Sequence, residues 1–137
     1  MNETISLKFA KLSKNLKYEM LPENVIEQAK KCLLDFVGVA IAGKKCPLID
    51  VLLSFGFQSK GDKNSTVIGR EEPIYFLFGP LINGTIGHYI ELDDGHRQSL
   101  SHRGTVVIPS ALAMGEVLKS NGKDTCLCQL FGGSFLW

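Results

Sequence analysis

Apolar residues recur at helical spacing through most of this chain, and that pattern restricts the fold more than any other feature. Ile5, Phe9, Leu12 and Leu16 fall on one face of a helix predicted over residues 4–17. The same reasoning predicts further helices over residues 22–43, 74–92 and 106–118, and residues 48–57 form a third apolar segment that follows Pro47. Thr66-Val67-Ile68 has the composition of one short strand. The chain is therefore predicted to be all-α, with at most one short strand.

Two of these helices carry patterns that predict their surroundings. Residues 36–42 are apolar nearly all round, as expected of a helix that is buried among other helices. The segment 74–92 contains Gly79, Pro80, Gly84 and Gly87, which predict either a kink or very close packing. No internal repeat and no linker divides the sequence.

The charge and hydropathy of the chain exclude several classes of partner. Fifteen Lys and Arg residues balance fourteen Asp and Glu residues, and they are scattered along the chain. A nucleic-acid partner is therefore not expected. No segment has the roughly 18 uninterrupted apolar residues of a membrane span, and the N-terminus lacks the pattern of a signal peptide. The expected location is the cytoplasm, with no membrane partner.

The four cysteines do not form a recognisable metal or disulfide pattern. Cys32 and Cys46 stand alone, and Cys126 and Cys128 form only a CxC pair near the end of the sequence. A zinc site would require a second close pair, and a disulfide framework would require a secreted protein. Buried or incidental thiols are the better interpretation.

The residues that can carry chemistry are concentrated in one short segment. All three histidines of the chain lie between His88 and His102, a window of fifteen residues. Four charged residues lie in the same window and a fifth directly follows it: Glu91, Asp93, Asp94, Arg97 and Arg103. On a continuous helix, His88 and Glu91 would share a face, while the later residues would lie in a loop beyond the C-terminal end of that helix.

This combination suits proton transfer at a carbon next to a carboxylate. A base removes the proton, an acid assists the leaving hydroxyl or protonates the carbanion, and cations hold the substrate carboxylates. Histidine is a natural acid or base because its unperturbed pKa of about 6.5 is close to working pH. Arg97 and Arg103 offer planar guanidinium groups that can hold carboxylates.

Each residue also has a purely structural interpretation. His88 could be a core histidine satisfied by one hydrogen bond, and Asp93 and Asp94 could simply end the helix. Glu91 could lie on a solvated face. For His96 and His102 a functional role is favoured, because the two histidines bracket one loop.

Two other classes of protein fit the same residues. A metal-dependent hydrolase would use His88, Glu91, Asp94, His96 and His102 as ligands, although their spacing matches no compact metal motif. A non-catalytic helical module would instead pair with another chain through the apolar face of residues 36–42. The sequence alone leaves both alternatives open.

Three stretches of the sequence resemble the MmgE/PrpD family, whose members are similar to 2-methylcitrate dehydratase and cis-aconitate decarboxylase. Residues 21–43 contain the apolar pattern LLD-x-x-G-x-x-x-A-G. Residues 66–70 are followed by the pair Asn83-Gly84, and residues 88–113 contain LDDGH and IPSALA. Together these stretches span about residues 5–122.

The resemblance implies a helical domain that meets a smaller α+β domain, with the substrate between them, usually in a homodimer and without a required cofactor. The catalytic positions implied for this chain are Glu91, Asp93, Asp94 and His102. His88, His96, Arg97 and Arg103 are then expected to bind substrate. The predicted function is that of a lyase acting on a small di- or tricarboxylate, similar to 2-methylcitrate dehydratase.

The sequence departs from the family pattern at several positions. Glu91 stands where Asp is frequent, Arg103 where Pro is usual, and Gly95 where the decarboxylase has Thr. These differences argue against decarboxylase activity and leave the substrate open. The family resemblance is expected over residues 1–122, whereas residues 123–137 diverge and end early. We therefore expect a truncated domain that is inactive alone and that self-associates through exposed apolar surface.

Overall fold

The computed structural model describes residues 3–98 and 100–134, and within them the all-α prediction is confirmed. Helix α1 spans Ile5–Asn15, α2 Glu23–Ala42, α3 Leu48–Gln58, α4 Phe78–His88, α5 Gly104–Leu118 and α6 Gly122–Ser134. Short 3-10 turns cover Tyr18–Met20 and Gly43–Lys45. Strands β1 (Lys63–Ser65) and β2 (Ile74–Tyr75) pair antiparallel, with an irregular register between Lys63 and Ser65. Across the described residues, every helix is either too short or too polar to cross a bilayer.

The core lies where α2, α3 and α4 meet the loop that follows β1. Its buried members are mostly aliphatic: Ala40, Cys46, Ile49, Leu53, Val67, Ile74, Ile82 and Ile86. Helix α4 lies at the centre of the fold, because it packs against α2, α3 and α5. Any side chain at the C-terminal end of α4 is therefore held on a well-supported element.

The strand predicted at Thr66-Val67-Ile68 is wrong, because the strand lies just before it at Lys63–Ser65. The buried Asn83 side chain forms hydrogen bonds with two backbone groups of this segment. Its Oδ1 accepts from the Ile68 N–H at 2.9 Å, and its Nδ2 donates to the Thr66 carbonyl at 2.8 Å. The Asn83 side chain thus satisfies backbone groups that a neighbouring strand would otherwise satisfy.

Helix α4 is shorter at both ends than the segment 74–92 that its apolar pattern predicts. Ile74 and Tyr75 pair with β1 instead, and the chain leaves the helix after His88. The prediction of close packing at the glycines is confirmed. A Cβ placed on Gly84 would lie 2.5 Å from the carbonyl oxygen of Thr105, and one placed on Gly87 would lie 2.6 Å from the Phe36 ring.

Residues 36–42 are buried on one face only, so the prediction of burial all round is wrong. Phe36, Val39 and Ala40 face the core, whereas Ile41 is 48% exposed and nothing lies within 4 Å of a Cβ built on Gly38. The α3 helix likewise exposes Leu48, Val51 and Phe55. These apolar residues face outward because no described element covers them.

The segment after residue 122 forms a packed helix. Asn121 caps α6, since its Oδ1 accepts from the backbone N–H groups of Lys123 and Asp124. Gln129 donates to the carbonyl of Ala29 in α2 at 3.1 Å, and α6 also packs along α5. Residues 135–137, for which exposed apolar surface was expected, lie outside the described residues.

The contact between Gly84 and the backbone of Thr105 predicts a position-specific effect of a single methyl group. Gly84→Ala should lower the free energy of unfolding by about 1–3 kcal/mol, because the new Cβ would force α4 and α5 apart. Gly38→Ala is the matched control, since its Cβ meets nothing and alanine favours the helix by about 0.5–1 kcal/mol. Urea denaturation of both variants tests this. Equal effects of the two substitutions would contradict the packing.

Candidate active site

Two histidines come together where α4 ends and α5 begins. His88 is the last residue of α4, and His102 lies two residues before α5 starts at Gly104. Because α4 and α5 pack tightly at Gly84, both ends of the loop 89–103 are held close to each other. The two imidazole rings lie edge to face, with centroids 4.8 Å apart.

A single carboxylate joins these histidines. The Asp93 side chain, which is only 2% exposed, places Oδ2 3.0 Å from Nδ1 of His88 and 3.0 Å from Nδ1 of His102. Its Oδ1 lies 3.2 Å from the same nitrogen of His88. The imidazoles themselves are nearly half exposed, at 47% and 44%. The carboxylate is thus a buried anchor, and the rings project from it toward solvent.

The neighbouring Asp94 binds the start of α5 instead of the histidines. Its Oδ1 accepts a hydrogen bond of 2.8 Å from the N–H of Gly104, the first residue of α5. A carboxylate at this place satisfies a free backbone donor and interacts favourably with the positive end of the helix dipole. The structure therefore brings Asp93, and not Asp94, to His102.

The prediction that His88 and Glu91 share a helix face is wrong. The helix ends at His88, and Glu91 adopts a left-handed conformation with φ of 53°. The N–H of Glu91 donates to the carbonyl of His88 at 3.0 Å, which closes a tight turn. This turn reverses the chain and returns Asp93 to His88. The Glu91 side chain is exposed.

The remaining charged residues of the segment lie farther along the loop. His96 is half-buried, and its backbone N–H donates to the carbonyl of Ser101 at 2.9 Å. Arg97 is exposed near the tip of this loop. Arg103 is only 5% exposed, and its Nε donates to the Ser101 hydroxyl at 3.3 Å. Of the two arginines, Arg97 is therefore the one that solvent reaches easily.

The five-ligand metal site considered from the sequence is not assembled. Of its members, only His88 and His102 converge, and the third group beside them is Asp93, which was not in that set. Asp94 is bonded to α5 instead. A hydrolase centre built on the predicted five ligands is therefore excluded by their positions.

A groove of about 410 Å³ between α4 and α5 leads to His88. Its walls are apolar and hydroxyl-bearing side chains, namely Pro80, Leu81, Thr85, Thr105, Val106 and Ser110, with Gly84 at its base. A volume of this order is enough for a small ligand. None of the residues that line it is a lysine or an arginine.

A larger groove of about 1060 Å³ lies between α2, α5 and α6, but no histidine lines it. Cys126 is one of its lining residues, and burial raises the pKa of the Cys126 thiol. A raised pKa disfavours the thiolate that a nucleophile or a metal ligand requires. The thiols of all four cysteines are free. This groove therefore lacks the imidazoles that the Asp93 cluster provides.

The hydrogen bonds of Asp93 determine which imidazole nitrogen can act as a base. An ionised carboxylate only accepts hydrogen bonds, so each Nδ1 that contacts Asp93 carries its proton. In the neutral ring, Nε2 then has a free lone pair. The cluster of His88, Asp93 and His102 is thus two oriented imidazoles that share one positioning carboxylate. Such an arrangement is suited to general acid–base chemistry.

This tautomer assignment can be tested directly by NMR. At pH 8, ¹⁵N–¹H correlation spectra should show His88 and His102 protonated at Nδ1. Asp93→Asn should change this for at least one ring, because an amide offers one acceptor and one donor where the carboxylate offers two acceptors. Asp94→Asn is the matched control and should leave both tautomers unchanged. Unchanged tautomers in both variants would contradict the assignment.

Comparison with known proteins identifies the family of this helical domain. The family model of the MmgE/PrpD N-terminal domain matches residues 7–132. Cis-aconitate decarboxylase of Aspergillus terreus is 30% identical over 111 residues, which is 80% of this chain and 22% of that protein. Cis-aconitate decarboxylase of Mus musculus is 27% identical over 135 residues, covering 93% of this chain and 27% of its own length.

The molecule is thus a helical domain that carries a histidine–carboxylate cluster. The chain belongs to the MmgE/PrpD family, by its N-terminal domain. The human cis-aconitate decarboxylase is also similar, at 26% identity over 127 residues. The chain spans about a quarter of the length of the curated relatives it matches.

Proposed function

We propose that this chain provides the acid–base part of the active site of a lyase that acts on a small di- or tricarboxylate. The observation that carries the proposal is the buried Asp93 carboxylate, which contacts Nδ1 of both His88 and His102 at 3.0 Å. The leading reaction is a dehydration of the 2-methylcitrate type. It requires removal of a proton next to a carboxylate and departure of a hydroxyl group, and both steps are assisted by acid–base groups.

In this proposal His102 is the base. Its Nε2 takes a proton from the carbon next to a substrate carboxylate, and the electron pair of the broken C–H bond forms the new double bond. The C–O bond breaks, and the leaving hydroxyl accepts the proton that His102 has taken from the carbon, so that it departs as water. Asp93 acts as a positioning residue, because it keeps the proton of His102 on Nδ1. His88 faces the groove between α4 and α5 and binds the substrate hydroxyl.

The substrate carboxylates also require cations. The groove beside His88 has neither lysine nor arginine among its lining residues, and Arg103 is largely buried. We propose that Arg97 contributes one cation and that the others come from beyond this domain in longer family members. Glu91, Asp94 and His96 would complete the site from the loop between α4 and α5. The chain alone is therefore expected to be inactive.

Decarboxylation of cis-aconitate is the second candidate, because the relatives with 26–30% identity are named for that activity. The same cluster suits it, since a histidine can protonate the carbanion that remains when CO₂ leaves. Gly95 stands where the decarboxylase has Thr, which is why dehydration is placed first.

A chimera tests both candidates. Residues 7–132 would replace the corresponding segment of the Aspergillus terreus cis-aconitate decarboxylase, and the products from 2-methylcitrate and cis-aconitate would be followed by NMR. We expect turnover that His102→Gln lowers by about 10²-fold or more. The surface substitution Glu27→Gln should leave the rate unchanged. A folded chimera whose turnover is unaffected by His102→Gln would overturn the proposed role of His102.

We further propose that the chain self-associates. The outward-facing apolar residues of α2 and α3 support this, in particular Leu34, Ile41, Leu48, Val51 and Phe55. Sedimentation velocity should show a sedimentation coefficient that rises with concentration. Val51→Glu should reduce this rise, since it places a charge on the apolar face of α3. A compact monomer at all concentrations would contradict the proposal.

A further inference from the structure

We infer that the cluster of His88, Asp93 and His102 binds a divalent transition-metal ion, and that the ion and the acid–base form exclude each other. Among residues 3–98 and 100–134, this is the one place where three side chains that can bind a metal converge, with one ligand atom of each within 4.8 Å of the others. The statement about exclusion rests on the proposed function, whereas the binding itself does not.

The ligand atoms indicate the class of ion. Two imidazole nitrogens and one carboxylate oxygen suit Zn²⁺, Co²⁺ or Fe²⁺. Ca²⁺ and Mg²⁺ prefer sites built from oxygen ligands alone, and Cu⁺ prefers sulfur. Three protein ligands would also leave coordination positions open for water. The ligand set therefore suits zinc and related ions better than alkaline-earth ions.

Two of the three distances between the ligand atoms are close to those of a metal site. With metal–ligand bonds of about 2.0–2.1 Å in tetrahedral geometry, neighbouring ligand atoms are about 3.3 Å apart. The Nδ1 atoms of both histidines lie 3.0 Å from Asp93 Oδ2. These two distances would lengthen by a few tenths of an ångström, and each ring would turn its Nδ1 toward the ion; the three ligand atoms already lie within 4.8 Å of one another. The half-exposed imidazoles can make that movement, while the buried Asp93 remains fixed.

Binding of the ion changes the protonation of the rings. A metal ion at Nδ1 displaces the proton that this nitrogen shares with Asp93, and in a neutral ring the proton moves to Nε2. An Nε2 that carries a proton cannot accept one from a substrate. A bound ion would therefore hold His88 and His102 in the tautomer that is inactive as a base.

The binding can be tested with the purified chain, prepared without a histidine tag. Co²⁺ serves as the probe, because its visible absorption reports the coordination geometry, and Zn²⁺ is then added in competition. We expect one Co²⁺ per chain and displacement by Zn²⁺. His88→Gln and His102→Gln should each weaken binding by about tenfold or more, because each removes a ligand. Both side chains are nearly half exposed, so these variants are expected to fold.

Two controls make the test specific. His96→Gln removes the third histidine, which is not in the cluster, and Cys128→Ser removes an exposed thiol. Neither substitution should change the Co²⁺ affinity. Equal weakening by His96→Gln, or no stoichiometric binding by the unmodified chain, would overturn the inference. If the chain binds Co²⁺ but the chimera is inactive, the proposed function fails and the metal site stands. If the chimera is active but the chain does not bind Co²⁺, the metal site fails and the proposed function stands.

Discussion

Close packing of α4 against α5 is the constraint on which the rest of the site depends. At Gly84 the backbone of α4 approaches the carbonyl of Thr105 so closely that even one methyl group would meet it at 2.5 Å. This contact holds His88, at the end of α4, beside the start of α5. The loop 89–103 must then fold back on itself, and His102 arrives next to His88. The geometry of the two imidazoles is thus a consequence of helix packing.

The adjacent carboxylates Asp93 and Asp94 have different roles in the loop 89–103. Asp94 anchors the loop to the first N–H of α5, and the side chain of Asp93 turns inward toward the histidines. The turn at Glu91 makes this possible, because its left-handed backbone reverses the chain directly after α4. Burial of Asp93 is tolerated since both of its ring partners can donate hydrogen bonds to it.

The cluster has oriented acid–base groups, but the groove between α4 and α5 that reaches His88 has no lysine or arginine among the residues that line it. A carboxylate substrate needs both, since an enolate-like charge develops during proton removal. The chain spans only about a quarter of the length of its curated relatives. The same three side chains are the ones that we propose to bind a metal ion. Proton transfer at Nε2 and metal binding at Nδ1 would therefore use the same two imidazole rings.

The sequence by itself determined the helical class, the approximate positions of the helices and the short segment that holds every histidine. Helical periodicity and glycine or proline boundaries are local signals, so they survive without tertiary information. Only the tertiary structure decided that Asp93 contacts the histidines, that Glu91 turns the chain, and that Asn83 replaces a strand at residues 66–68. It also decided that residues 36–42 are buried on one face. These outcomes depend on which elements pack together, and local sequence patterns do not specify that packing.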